Sequence, residues 1–326
     1  MSDPSPPSPR WSRAHAAIVR NRAFANYPQR QLQLLMDVYR PETDEDVPVV
    51  LWLHDGGWRA GSKDHCPVRW LVRYGYAVAA ANYRLLPHDR YPAPIEDARA
   101  AVRYLRHHAE DLGLKPDAIA ACGASTGAYL ACMLGVAPDD LPPPPETLEP
   151  APGAADRPEP AEHDDQSHEI RAVVNYFGFT DFMGLQSLPS RRDQASLNSP
   201  EARFLGVPPR RKPEYAAAAS PLTHVRPGLP PMIHLHGEVD RVVPLDQSRR
   251  FHDALRVAGN VSKLVMLKGL GHRGLALFNH EAARGRVVDF LHQHFLGYVP
   301  TAARYHGRSH AETPIEPGSP QPPASR

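Results

Sequence analysis

Seven short runs of this chain read as strands, and most are apolar on consecutive rather than alternate positions: "LQLLMDVYR", "VPVVLWLH", "YAVAAANY", "AIAACGA", "IRAVVNYFG", "PPMIHLHG" and "SKLVMLKG". A strand that is apolar on both faces must be covered on both faces, which is the condition of a parallel sheet held between helices. The segments "APIEDARAAVRYLRHHAEDL", "STGAYLACMLGV", "LDQSRRFHDALRVAG" and "HEAARGRVVDFLHQHF" carry apolar residues at helical spacing and supply that cover. Strands alternating with helices predict an α/β fold built on a doubly wound, mostly parallel sheet.

At 326 residues such a sheet fits one domain. Proline is concentrated outside the patterned segments, in stretches too poor in apolar surface to offset ordering. Residues 1–26 are therefore expected to be flexible, 137–169 to be a disordered insertion, and 300–326 to be a disordered tail around a folded body over 27–299. The segment over 181–220, between two late strands, is the candidate cap, and Phe182, Met183, Leu185 and Tyr215 in it either line a pocket or bind the cap to the body.

Basic and acidic residues number 37 and 36, so the formal charge of +1 excludes the basic footprint of a nucleic-acid binder and points to a small substrate. The three cysteines, Cys66, Cys122 and Cys132, match neither a disulfide framework nor a metal-ligand spacing. The start of the chain has proline and arginine where a signal peptide has an apolar run, and no later stretch is long enough to span a bilayer. The expectation is a cytoplasmic protein with no membrane partner; the sequence does not set its oligomeric state.

The chemistry begins where "AIAACGA" runs into Gly123-Ala124-Ser125-Thr126-Gly127 and then into a helix. This is G-x-S-x-G in a strand-turn-helix context, where a sharp turn projects the serine hydroxyl and the glycines let strand and helix approach. A serine becomes a nucleophile only when a base takes its proton, and a carboxylate must orient that base. In this arrangement the acid and then the histidine follow late strands. Asp240 in "HLHGEVDRVVP" and His272 in "LKGLGHRG" stand in those places, with Asp246 and Asp181 as rivals for the acid.

The blocks "LHDGGWRAGSK", "NYRLLPHDRYPAPIEDARAAVRYLRHH", "GASTGAYLACMLG", "HGEVDRVVPLDQS" and "KGLGHRG" resemble, in order, those of α/β-hydrolase-fold esterases. Bacterial feruloyl-esterase-like and hormone-sensitive-lipase-like enzymes are the closest groups. The resemblance implies Ser125 as nucleophile, His272 as base and Asp240 as acid. It further implies an oxyanion hole from the backbone N–H groups of Gly56, Gly57 and Thr126, and neither a metal nor an organic cofactor. The implied reaction is cleavage of a small carboxylic ester through an acyl-enzyme. An aryl formamidase similar to kynurenine formamidase is the alternative, because His54 and Trp58 keep the H-x-x-x-W spacing of that group. A non-catalytic ligand-binding member of the fold is the alternative from another class.

Related esterases usually carry three glycines after the histidine, whereas here Asp55 takes the first place. A bare carboxylate about 6 Å from a developing oxyanion would oppose it by roughly 3 kcal/mol at an effective dielectric near 20. Arg59 and Lys63 lie close enough in sequence to pair with Asp55, which would make it structural; the other reading gives it a cationic or amine-bearing substrate. His54 and His236 are expected to hold the glycine loop and the acid loop. His65 beside Cys66 lacks a second ligand pair, Cys122 and Cys132 read as packing residues, and the histidines in "LRHHAE" and "LHQHF" as decorations of solvated helix faces.

Overall fold

The computed structural model describes residues 18–145, 163–187, 198–272 and 275–295. The strands are β1 (Ile18–Tyr27), β2 (Leu32–Tyr39), β3 (Val47–Leu53), β4 (Ala77–Ala81), β5 (Leu114–Ala124), β6 (Ala172–Tyr176), β7 (Met232–Gly237) and β8 (Ser262–Leu267). The helices are α1 (Ala93–His107), α2 (Ala109–Leu112), α3 (Thr126–Val136), α4 (Pro200–Leu205), α5 (Pro213–Ala218), α6 (Leu245–Val257), α7 (Leu275–Asn279) and α8 (Glu281–His294). Among the described residues the strands form one eight-stranded sheet in the order β1-β2-β4-β3-β5-β6-β7-β8. β1 and β2 run antiparallel to their neighbours, and the pairs from β4 through β8 are parallel.

Consecutive apolar residues in β3 serve two separate cores, as a doubly covered sheet demands. Val49, Leu51 and Leu53 pack with Ile95 and Leu105 of α1, Met133 of α3 and Phe251 of α6. Val50 and Trp52 point the other way, into a layer with Leu71 and with Val287, Phe290 and Leu291 of α8.

β1 departs from the sequence reading, which leaves residues 1–26 outside the folded body. Only Phe24, Ala25 and Tyr27 of this strand are buried, so its apolar signal is weak, and its place at the sheet edge comes from backbone pairing with β2. Residues 1–17, 146–162 and 296–326 lie outside the described residues, and with them most of the segments expected to be disordered.

Both ends of the insertion are described, and α1 holds them. Arg99 donates to the carbonyls of Pro138 and Asp139 at 2.5 and 2.8 Å. Arg106 donates to the carbonyls of Ser167 and Glu169, and Arg103 lies 3.5 Å from Asp164. One face of a single helix thus anchors the chain where it leaves the body and where it returns.

A buried ionic knot fixes the loop between β4 and α1. Asp97 is fully buried, accepts from the Tyr27 hydroxyl at 2.5 Å and from the Arg84 amide at 2.8 Å, and pairs with Arg84 Nε at 2.8 Å. Arg30 and Asp89 extend the knot at 2.6 Å. Removing one partner of such a pair strands a charge in a dry site. Asp97→Ala is expected to cost about 3–5 kcal/mol of unfolding free energy, read from the urea midpoint. A loss below about 1 kcal/mol would show that water reaches Arg84 in the variant.

Candidate active site

Residues 123–127 form a tight turn from β5 into α3. Ser125 sits at φ 51° and ψ −114°, a strained left-handed conformation for a residue with a side chain, and its amide donates to the Tyr176 carbonyl at 2.9 Å. The turn closes only because its flanks lack side chains. A Cβ on Gly127 would lie 2.1 Å from the Leu53 carbonyl oxygen, so α3 presses directly on the end of β3.

This geometry aims Ser125 Oγ at His272, which follows β8, with Oγ 2.9 Å from Nε2. His272 Nδ1–H donates to Asp240 Oδ2 at 2.7 Å. Asp240 follows β7, and its Oδ1 accepts from the amides of Val242 and Val243 at 2.8 and 2.9 Å. All three side chains therefore meet at the carboxyl ends of parallel strands, the edge where open α/β sheets place their sites. The amide of Val239 donates to the Leu270 carbonyl at 3.1 Å, tying the acid turn to the histidine turn.

Burial alone would raise the Asp240 carboxyl. Hydrogen bonds from His236 and His272, attraction to the His272 ring and the Val243 amide outweigh it and hold the group well below the usual carboxylate range. His236 acts on the acid turn as the sequence reading expects. Its Nε2–H donates to the Val243 carbonyl at 2.8 Å and lies 3.3 Å from Asp240 Oδ2, while Nδ1 accepts from Ser248 Oγ at 2.7 Å. The rival acids are elsewhere: Asp181 pairs with Arg250 at 2.7 Å, and Asp246 is exposed in the first turn of α6.

The loop after β3 completes the site. Gly56 has φ +135°, and a Cβ there would lie 1.9 Å from the Ala60 carbonyl oxygen, so only glycine fits. Gly57 follows at φ +66° and Trp58 at φ +58°. Among the described residues the amides of Gly56 and Gly57 donate no hydrogen bond, and the Thr126 amide is the first of α3, where helical donors lack partners.

His54 and Trp58 hold this loop at its two ends. His54 Nδ1–H donates to the Asp55 carbonyl at 2.8 Å, its ring stacks on Tyr83 at 4.3 Å, and the Tyr83 hydroxyl donates to the His54 carbonyl at 2.8 Å. Burial lowers the His54 pKa and keeps the ring neutral. Trp58 stacks on Phe204 of α4 at 4.1 Å and meets Tyr129 edge-on at 5.6 Å. Tyr83 escaped the sequence reading, although it lies in the quoted "NYRLLP" block.

The pairing expected for Asp55 does not form. Lys63 lies 2.9 Å from Asp37 and 3.3 Å from Asp64, and Arg59 is exposed. Asp37 is fully buried on β2, so leaving it unpaired would cost far more than leaving Asp55 half in water. Among the described residues the Asp55 carboxylate has no ion-pair or hydrogen-bond partner, and its charge acts on His54 and Tyr83.

Of the two readings left open for the 181–220 side chains, packing is what the described residues display. Phe182 and Leu185 are 1% exposed and Tyr215 is 7% exposed, all within the core that contains Trp58 and Phe204. Cys66, Cys122 and Cys132 are buried free thiols, and burial pushes Cys66 up to about 12. Among the described residues no helix is long and apolar enough to cross a membrane.

The family model named BD-FAE matches residues 36–255, a span that runs from β2 through the serine turn and the acid turn. The chain belongs to the BD-FAE family. Curated relatives of this BD-FAE chain include the probable carboxylic ester hydrolase LipM of Mycobacterium tuberculosis, 29% identical over 68% of this chain and 48% of that protein. Esterase LipC of the same organism is 27% identical over 82% of this chain and 64% of its own length. Isoprenylcysteine alpha-carbonyl methylesterase ICME of Arabidopsis thaliana is 26% identical over 80% and 57%. The chain thus spans about half to two-thirds of the length of these relatives.

Among solved structures, the bifunctional GH43-CE protein of Bacteroides eggerthii superposes with a TM-score of 0.73 at 27% identity, over 85% of this chain and 38% of that one. Esterase 2 of Thermogutta terrifontis with bound propionate gives 0.62 at 25% identity, over 86% and 94%. The fold is the α/β-hydrolase fold, as the sheet order and these neighbours agree.

Proposed function

We propose that this chain hydrolyses a small carboxylic ester through an acyl-enzyme. Ser125 Oγ attacks the ester carbonyl as His272 Nε2 takes its proton, and the resulting imidazolium is held by Asp240. His272 then protonates the departing alcohol. A water, deprotonated by the same nitrogen, attacks the acyl-enzyme and releases the acid and Ser125. The observation that carries this reading is the unbroken relay Ser125 Oγ–His272 Nε2, His272 Nδ1–Asp240 Oδ2 at 2.9 and 2.7 Å. The N–H groups of Gly56, Gly57 and Thr126 bind the oxyanion, each contributing about 3–4 kcal/mol to the tetrahedral intermediate. Esterase names among the relatives support the same reading. The buried thiols fit a reducing compartment, and we assign the enzyme to the cytoplasm.

A fluorophosphonate probe tests the proposal directly. Folded protein is expected to be labelled once, at Ser125, with loss of activity on p-nitrophenyl acetate and butyrate. Absence of labelling would remove the enzyme reading in favour of a binding member of the fold. N-formylkynurenine run in parallel decides the bond type, since preference for it over the esters would replace the esterase by a formamidase.

The unpaired Asp55 carboxylate sets an expectation for substrate charge. Removing it with Asp55→Asn is expected to raise kcat/KM on neutral p-nitrophenyl butyrate by roughly fivefold at low salt, because a half-solvated charge near the oxyanion opposes it by about 1 kcal/mol. The same variant is expected to lose activity on an ester bearing a primary amine. Unchanged kinetics on both substrates would mean that solvent screens the carboxylate from the reacting atoms.

A further inference from the structure

Away from the serine site, three imidazoles gather where α1 ends. His107 closes that helix, His108 follows it, and His163 arrives from the returning end of the insertion. The His163 ring stacks on His107 at 3.9 Å and meets His108 edge-on at 5.1 Å. One ring nitrogen from each lies within 4.8 Å of the other two. Ester hydrolysis at Ser125 has no use for this cluster, and the reading of "LRHHAE" as solvated decoration does not account for a third histidine arriving from a distant segment.

We propose that His107, His108 and His163 bind a Zn²⁺ ion that clips the insertion to the end of α1. Tetrahedral zinc with Zn–N near 2.1 Å brings its ligand nitrogens to about 3.4 Å from one another. The rings must therefore close by little more than an ångström, which side-chain rotation supplies at these exposed and half-exposed positions. Imidazole donors select zinc, copper or nickel over calcium and magnesium, and three of them leave a fourth position for water.

Two further observations point the same way. His108 Nδ1 lies 3.5 Å from Asp111 Oδ2, the arrangement in which a carboxylate orients a metal-bound imidazole and leaves Nε2 for the ion. His163 is also delivered by anchored chain, because Arg103 meets Asp164 at 3.5 Å and Arg106 holds the carbonyls of Ser167 and Glu169. The ligand sphere thus joins a rigid helix end to a stretch already fastened beside it.

The test is calorimetric titration of untagged, chelator-stripped full-length protein with Zn²⁺, for wild type, His163→Gln, His107→Gln and Asp111→Asn, with circular dichroism to verify folding. One saturable equivalent is expected for wild type, lost in both histidine variants and weakened roughly tenfold in Asp111→Asn. Zn²⁺ is expected to raise the Tm of wild type but not of His163→Gln, and Co²⁺ in its place to give the visible bands of a tetrahedral site. Equal Zn²⁺ affinity in wild type and the two histidine variants would put the ion elsewhere and overturn the proposal. The absence of a stoichiometric site in wild type would overturn it equally.

Discussion

Ser125→Ala is expected to lower kcat on p-nitrophenyl butyrate by roughly 10⁶-fold while KM changes little. The hydroxyl is the only atom removed, and it is the atom that would form the acyl bond; what remains is substrate binding and the oxyanion donors, which sustain a small residual rate. The fold should tolerate the change. Alanine meets the same backbone strain at φ 51° that serine does, and the turn is held by glycine contacts and by the hydrogen bond that the backbone N–H of residue 125 donates to the Tyr176 carbonyl. Thermal unfolding within a few degrees of wild type, together with initial rates, makes the measurement decisive. An alanine variant that keeps a tenth of the ester activity would end the nucleophile assignment.

Asp240→Asn is expected to cost about 10⁴-fold in kcat, with the proton rather than the charge as the main cause. Asp240 Oδ1 accepts from two backbone amides, so an asparagine keeps its oxygen on that side and turns its NH₂ toward His272. His272 Nδ1 must then accept, which moves the ring proton to Nε2 and leaves nothing to take the proton of Ser125. The His236 N–H, 3.3 Å from the same position, faces a donor instead of an acceptor and adds a modest loss of stability. The signature that separates this from misfolding is recovery of rate at high pH, where hydroxide takes the Ser125 proton in place of the imidazole. A drop below tenfold would assign the orienting role to another group.

That Ser125, Asp240 and His272 come together was legible in the sequence because each stands in a short motif beside a strand, and strand ends fix position across a parallel sheet. The elbow glycines were legible for the same reason, since the contact of Gly127 with β3 is required by the turn itself. The choice of Asp240 over Asp181 and Asp246 was not settled by spacing; it depends on which carboxylate faces His272 and which is already taken by Arg250. The fate of Lys63 was hidden because Asp37, its partner, comes from β2, and the demand of a buried carboxylate cannot be read from neighbours in sequence. β1 was missed because an edge strand needs few apolar residues when the backbone of β2 receives it. The anchoring of the insertion escaped notice because the arginines of α1 bind mainly backbone carbonyls, which leave no mark on composition.

The stacking of Trp58 on Phe204 at 4.1 Å bears on how this protein could be re-engineered. Exchanging the segment that contains α4 would be one way to seek a new substrate range. Here that segment carries one half of the aromatic pair that steadies the glycine loop, so a graft lacking an aromatic ring at position 204 would trade catalytic rate for new specificity. A successful chimera would have to exchange the two rings together.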